Sequence, residues 1–209
     1  MKKVRKEYYF ISILLILFMF LTIFVISGRT SFLDEGFFNR IIKLENNVLT
    51  KILYVITNIG STIGVILVLI ILIGLFAKRK ILSDFKYVLC NVSIGVILMQ
   101  VLKHIIKRVR PSWKWIKQAG FSYPSGHTIS AILLYGTLIL LVHKKVNGKY
   151  KKPIILFLSL MIFFISISRI YFGVHYLTDV IASILLGTVI LIISNMFMNK
   201  EFSSDKNKN

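Results

Sequence analysis

Acidic side chains are scarce: 8 Asp and Glu face 27 Lys and Arg across 209 residues. Those eight are Glu7, Asp34, Glu35, Glu45, Asp84, Asp179, Glu201 and Asp205, scattered along the whole chain. Carboxylate cages for Mg²⁺ or paired metal ions need clustered acids, so no resident metal and no other cofactor is expected. Cysteine is limited to Cys90, which excludes a disulfide framework. Its place inside an apolar run predicts a small core residue. There are only three prolines, Pro111, Pro124 and Pro153, and each falls at the edge of an apolar run. Proline is tolerated at a helix start, where its missing N–H has no partner to lose. No repeat or low-complexity linker divides the chain, so residues 1–209 are expected to form a single membrane-embedded domain.

What fills the chain is apolar: 56% of it is hydrophobic, with a mean hydropathy of +0.77. The apolar residues come in runs long enough to cross a bilayer as helices. Six are predicted, at about Tyr8–Ser27, Ile52–Ala77, Tyr87–Ile106, Ser125–Val142, Pro153–Tyr171 and Tyr176–Asn195. The expected fold is all-α, an integral membrane bundle of six transmembrane helices. The first run, preceded by Lys2, Lys3, Arg5 and Lys6, reads as an uncleaved signal anchor. Between the first two runs, Leu33, Phe37, Ile41, Leu44 and Val48 recur at steps of three and four within Gly28–Thr50. That spacing predicts a short amphipathic helix in the outer interface.

A net charge of +19 suggests nucleic acid, but its distribution points elsewhere. With the N-terminus in the cytoplasm, 16 of the 27 Lys and Arg lie on the cytoplasmic side and 11 on the other. This is the bias of the positive-inside rule. Both termini are therefore expected in the cytoplasm of a multi-pass cell-membrane protein, and no nucleic-acid partner is expected. Of the 11 outer cations, 7 fall at or near three polar blocks.

Those blocks sit at the ends of apolar runs, on one predicted face of the membrane. His175 and Asp179 stand one helical turn apart at the start of the sixth run. A carboxylate there holds one ring nitrogen and leaves the other free to attack. Pro124-Ser125-Gly126-His127 opens the fourth run. Its free N–H groups and positive dipole end favour an anion. Gly126 permits close approach, Ser125 adds a donor, and His127 is placed to protonate a leaving oxygen. Lys103, Arg110 and Arg169 supply fixed charge for phosphate oxygens. Lys103, Lys107 and Arg110 fit one helix face if the third helix continues past the hydrocarbon, and Lys107 then suggests a contact to a second phosphate. His104, His143, and the Asn58–Gly64 cluster read as structural, and Trp113, Trp115, Phe121 and Tyr123 as interface anchors.

Taken in order, Lys103-x6-Arg110-Pro111, Pro124-Ser125-Gly126-His127 and Ser168-Arg169-x5-His175-x3-Asp179 resemble the three-part signature of the type-2 phosphatidic acid phosphatase superfamily. That superfamily also includes glucose-6-phosphatases and vanadium haloperoxidases. The resemblance implies a metal-independent membrane lipid phosphatase. His175 would be the nucleophile forming a phosphohistidine, Asp179 its orienter and His127 the general acid. Lys103, Arg110, Ser125, Gly126 and Arg169 would bind the phosphoryl group. The implied partners are the bilayer and a lipid phosphate: phosphatidic acid, phosphatidylglycerophosphate or undecaprenyl pyrophosphate. A phosphotransferase would use the same residues, and a lipid transporter is the alternative of a different class.

Overall fold

A computed structural model describes the backbone of residues 2–79 and 81–206, and the side chains of residues 6–79 and 81–198. Lys80 and Lys208, counted above for sidedness, lie outside the described residues. The described chain is helical: α1 (Lys2–Ile26), α2 (Ser31–Ile41), α3 (Asn47–Ile59), α4 (Thr62–Lys78), α5 (Leu82–Ile106), α6 (Gly126–Lys145), α7 (Lys151–Tyr171) and α8 (Leu177–Lys206), with one 3-10 turn at Ile42–Leu44.

Five of these helices, α1, α5, α6, α7 and α8, are long and apolar enough to cross a membrane. The predicted second span is not one helix. It is broken into α3 and α4, bent by 62° at Gly60–Ser61. Local chemistry explains the break. Ser61 Oγ accepts from the Gly64 N–H at 3.1 Å, capping α4. The same hydroxyl donates back to the Asn58 carbonyl at 2.7 Å. Gly60 is required by packing, since a Cβ there would lie 2.5 Å from Ile165 Cγ2 of α7. Gly60 therefore serves helix packing, as expected, Ser61 redirects the chain, and Gly60 and Thr62 also line the cavity described below.

At the centre stands α6. Every residue from Thr128 to Thr137 is buried, because α5, α7 and α8 all pack around it. α1 covers α8, and α3 covers α7. Asn91 of α5 donates to Thr137 Oγ1 of α6 at 2.8 Å. Such a polar clasp suits two helices in lipid, where association gains little from the hydrophobic effect. The outer faces of α1, α4 and α7 expose Phe20, Ile70, Ile71 and Phe163. A broad apolar exterior of this kind marks a surface that meets lipid rather than water.

Three local expectations are corrected. Cys90 is exposed, because the buried stripe of α5 runs through Val88, Asn91, Val92, Gly95 and Met99 and passes it by. α5 does not continue to Arg110. It ends at Ile106 with Lys107 as a left-handed C-cap (φ 51°), which separates Lys107 from the face of Lys103. The Gly28–Thr50 pattern is also not one helix, since the chain turns at Leu44–Asn46. Asn46 Oδ1 then accepts from the Leu49 N–H at 2.8 Å and starts α3, so Val48 belongs to that helix.

Candidate active site

The site lies where the α5–α6 connection meets the α7–α8 turn. That turn is tight. Gly173 has φ +63°, and a Cβ there would come within 2.9 Å of the Trp113 ring and its carbonyl oxygen. The His175 and Val174 N–H groups both reach the Arg169 carbonyl at 3.2 Å. The turn thereby fixes Arg169 and His175 relative to each other. The opposing connection is tied on by Trp115 N–H to the Phe172 carbonyl at 3.1 Å. The start of α6 is tied to α8 by Ser183 Oγ, which donates to the Ser125 carbonyl at 3.0 Å.

His175 is buried, with its two nitrogens in different environments. Nδ1 lies 3.2 Å from Asp179 Oδ2 and donates to it. The opposite nitrogen, Nε2, lies 3.1 Å from Arg110 Nη1 and accepts from it. Burial, followed by the charges of Arg110, Arg169 and Lys103, lowers the His175 pKa well below its ordinary 6.5. The imidazole is thus neutral, with the Nε2 lone pair facing a guanidinium.

Arg110 is held from several sides. It donates to the carbonyls of Ala119 at 3.1 Å, Gly120 at 3.0 Å and Val174 at 2.8 Å. Burial lowers its pKa, partly opposed by Asp179. Lys103, the last buried residue of α5, donates to the Phe121 carbonyl. Arg169 of α7 donates to Thr57 Oγ1 at 2.6 Å and to Gln118 Oε1 at 3.1 Å. Its Nε is buried without a partner among the described residues.

A cavity of about 840 Å³ opens beside these groups, lined by Lys103, Arg110, Gly126, His127 and His175. Its remaining wall is largely apolar and comes from α4 and α5, including Val65, Ile66, Leu69, Val92, Val96 and Ile97. Of the eight residues singled out from sequence, five line this cavity. Asp179 and Ser125 lie behind it: Ser125 Oγ accepts from Thr128 Oγ1 at 3.0 Å within the core. Arg169 stands beside Gln118, which is on the cavity wall. Lys107 is exposed and off the cavity. His104, read as structural, does line it, with Nδ1 2.8 Å from the Gln100 carbonyl. Trp113 is more than an anchor, since it stacks on Phe38 at 5.1 Å.

Sequence reading passed over Asp34, Arg108, Thr57 and Gln118. Arg108 donates to Asp179 Oδ1 at 2.6 Å and to Asp34 Oδ2 at 2.7 Å. Burial opposes its charge, but Asp179 and Asp34 outweigh burial and raise its pKa. The only advance signal was its position inside the Lys103–Arg110 block. Nothing in sequence connects it to a carboxylate 74 residues upstream.

Fold and site together define a membrane-embedded enzyme with a cationic, two-histidine pocket opening into an apolar cavity. Known proteins narrow that class. The PAP2 superfamily profile matches residues 85–203. Phosphatidylglycerophosphatase B of Bacillus subtilis (strain 168) is 28% identical over 191 residues, covering 90% of this chain and 94% of that protein. Undecaprenyl-diphosphatase of Sulfolobus acidocaldarius is 30% identical over 202 residues, covering 91% of each. The crystal structure of the transmembrane PAP2-type phosphatidylglycerolphosphate phosphatase of Bacillus subtilis superimposes with a TM-score of 0.84 at 26% identity, over 92% of this chain and 97% of that one. Aquifex aeolicus LpxE gives 0.62 at 25% identity, over 80% and 95%. This chain belongs to the PAP2 superfamily and is a multi-pass membrane phosphatase.

Proposed function

We propose that this protein hydrolyses the terminal phosphate of a lipid phosphate or diphosphate through a phosphohistidine on His175, without a metal ion. One observation carries the reading: a single cavity has Lys103, Arg110, His127 and His175 at one part of its wall and the apolar faces of α4 and α5 at another. A lipid phosphate has that same division, an anionic head on an acyl or prenyl tail.

In this reading the phosphoryl group enters among Lys103, Arg110 and Arg169, beside the Gly126 end of α6. Arg110 gives up Nε2 and takes phosphoryl oxygens with its fork. The Nε2 lone pair attacks phosphorus while Asp179 holds Nδ1–H and stabilises the imidazolium that forms. The bond to the lipid oxygen breaks, and His127 delivers the proton to that oxygen. Water, deprotonated by His127, then attacks the phosphohistidine, releasing phosphate and restoring His175. The carboxylates near the site support a metal-free reading, because Asp34 and Asp179 both bind Arg108. The named relatives make phosphatidylglycerophosphate and undecaprenyl pyrophosphate the first substrates to try, with phosphatidic acid beside them. We further place the bent α3–α4 pair as a sixth span, α2 in the outer interface, the site on the extracytoplasmic side and both termini in the cytoplasm.

The test is phosphate release from those three lipids by detergent-purified protein in excess EDTA, with His175→Ala as control. Release that survives EDTA and disappears in the variant is expected. Loss of release on chelation, restored by a divalent ion, would refute the metal-free mechanism.

A further inference from the structure

The short helix α2 docks on the bundle through a charge. Its buried residues are Asp34 and Phe38, one turn apart, while Leu33 of the expected apolar stripe is exposed. A buried carboxylate is costly unless its oxygens are bonded, and both Asp34 oxygens are. Oδ1 accepts from the Thr178 N–H at 3.0 Å, so a residue of α2 caps the first turn of α8. Oδ2 accepts from Arg108 Nη2 at 2.7 Å. The other arm of the same guanidinium donates to Asp179 Oδ1 at 2.6 Å. Asp179 therefore has one oxygen fixed by Arg108 and the other directed at His175 and the Tyr176 N–H. A second arm reinforces the first. Phe38 stacks on Trp113, Trp113 meets Tyr176 edge-on at 5.8 Å, and the Tyr176 ring lies 3.9 Å beneath the Arg108 guanidinium.

We propose that α2 braces the active site, and that Asp34 and Arg108 are positioning residues which hold Asp179, and through it His175, in line for attack. The inference rests on His175 being the nucleophile. Neither residue lines the cavity, so neither is expected to contribute to substrate binding. Displacing a reacting group by about 1 Å costs on the order of 10²-fold in rate. The effect therefore belongs in kcat.

The experiment uses the full-length protein in detergent and a short-chain phosphatidic acid in mixed micelles. Asp34→Asn, Arg108→Ala and the double variant are compared with wild type and with His175→Ala. Each single variant is expected to lose roughly 10–100-fold in kcat per folded molecule with KM changed less than about 3-fold. The double variant is expected to be no worse than the weaker single, because the two residues act as one chain. Arg108→Lys keeps the charge but cannot fork to both carboxylates. It is expected to lose kcat as well, and it carries the test if Asp34→Asn does not fold. Folded variants with wild-type kcat, a loss confined to KM, or losses that multiply in the double variant would overturn the brace. If His175→Ala hydrolyses like wild type, the phosphohistidine reading itself fails. If it is inactive while the brace variants are unaffected, only the brace falls.

Discussion

Single side chains decide the chemistry through what each is committed to. His175 has an ordinary pKa of 6.5 that burial, then Arg110, Arg169 and Lys103, push well down. Between that lowered value and 6.5 the unfolded chain binds more protons than the folded one, so this group's contribution to stability declines as pH falls below 6.5. Over the same window the folded imidazole stays neutral and able to attack. Arg110→Gln removes the second-largest cause of the shift, so the His175 pKa should rise toward 6.5. The acid limb of kcat/KM, which reports the free enzyme, should then move to higher pH along with a large fall in rate. An acid limb at the wild-type position in a folded variant would show that Arg110 does not set this titration. Tyr123, hydrogen-bonded to Thr22 at 2.7 Å, is pushed up to about 12, first by burial. It stays neutral throughout any such assay.

Helix ends and breaks explain where the side chains stand. Lys107 closes α5 at φ 51°, a conformation that costs a residue with a Cβ roughly 1 kcal/mol and costs glycine little. Lys107→Gly should therefore raise stability by about 0.5–1 kcal/mol, read as a higher Tm in detergent, and leave turnover intact because Lys107 is off the cavity. The α3–α4 break responds in the opposite sense. At Gly60 an added Cβ meets Ile165 at 2.5 Å and His127 Cδ2 at 3.4 Å. Gly60→Ala should destabilise by about 1–3 kcal/mol through overpacking and lower kcat by shifting His127. Unchanged Tm and unchanged rate would mean that α7 yields without cost at this point.

For the whole molecule, the arrangement of charge along the bundle matters most. At the end of α5 and α6 away from the site, Lys145 pairs with Asp84 at 2.6 Å. At the other end, Lys103, Arg108, Arg110 and Arg169 gather about the candidate site. If the site faces outward, a reporter fused after residue 209 should read cytoplasmic, and an impermeant amine reagent on intact cells should modify Lys114 or Lys117 before Lys145. Labelling in the reverse order would invert the topology proposed above.

Helix type and membrane habit could be read from the chain because both depend on local composition: twenty apolar residues in a row have few stable alternatives to a spanning helix. The three polar blocks were legible for a related reason, since a histidine, carboxylate or arginine in such a setting is costly without a purpose. Sequence therefore selected His175, Asp179, His127, Lys103 and Arg110, and His175 pairs with Asp179 as their spacing suggested, whereas the contact of His175 with Arg110, 65 residues away, belongs to the tertiary structure. The break at Gly60–Ser61 was not legible. A glycine and a serine inside an apolar run also fit a continuous helix, and the break shows only in the structure, where Ser61 caps α4 and Ile165 closes on Gly60. Asp34 and Arg108 were illegible for a deeper reason. Their partnership spans 74 residues, and neither has a periodic or motif context that points to the other. Propensity and hydropathy act over a few turns of chain. The pairing of a carboxylate on α2 with a guanidinium after α5 exists only once α8 has brought Thr178 and Asp179 between them.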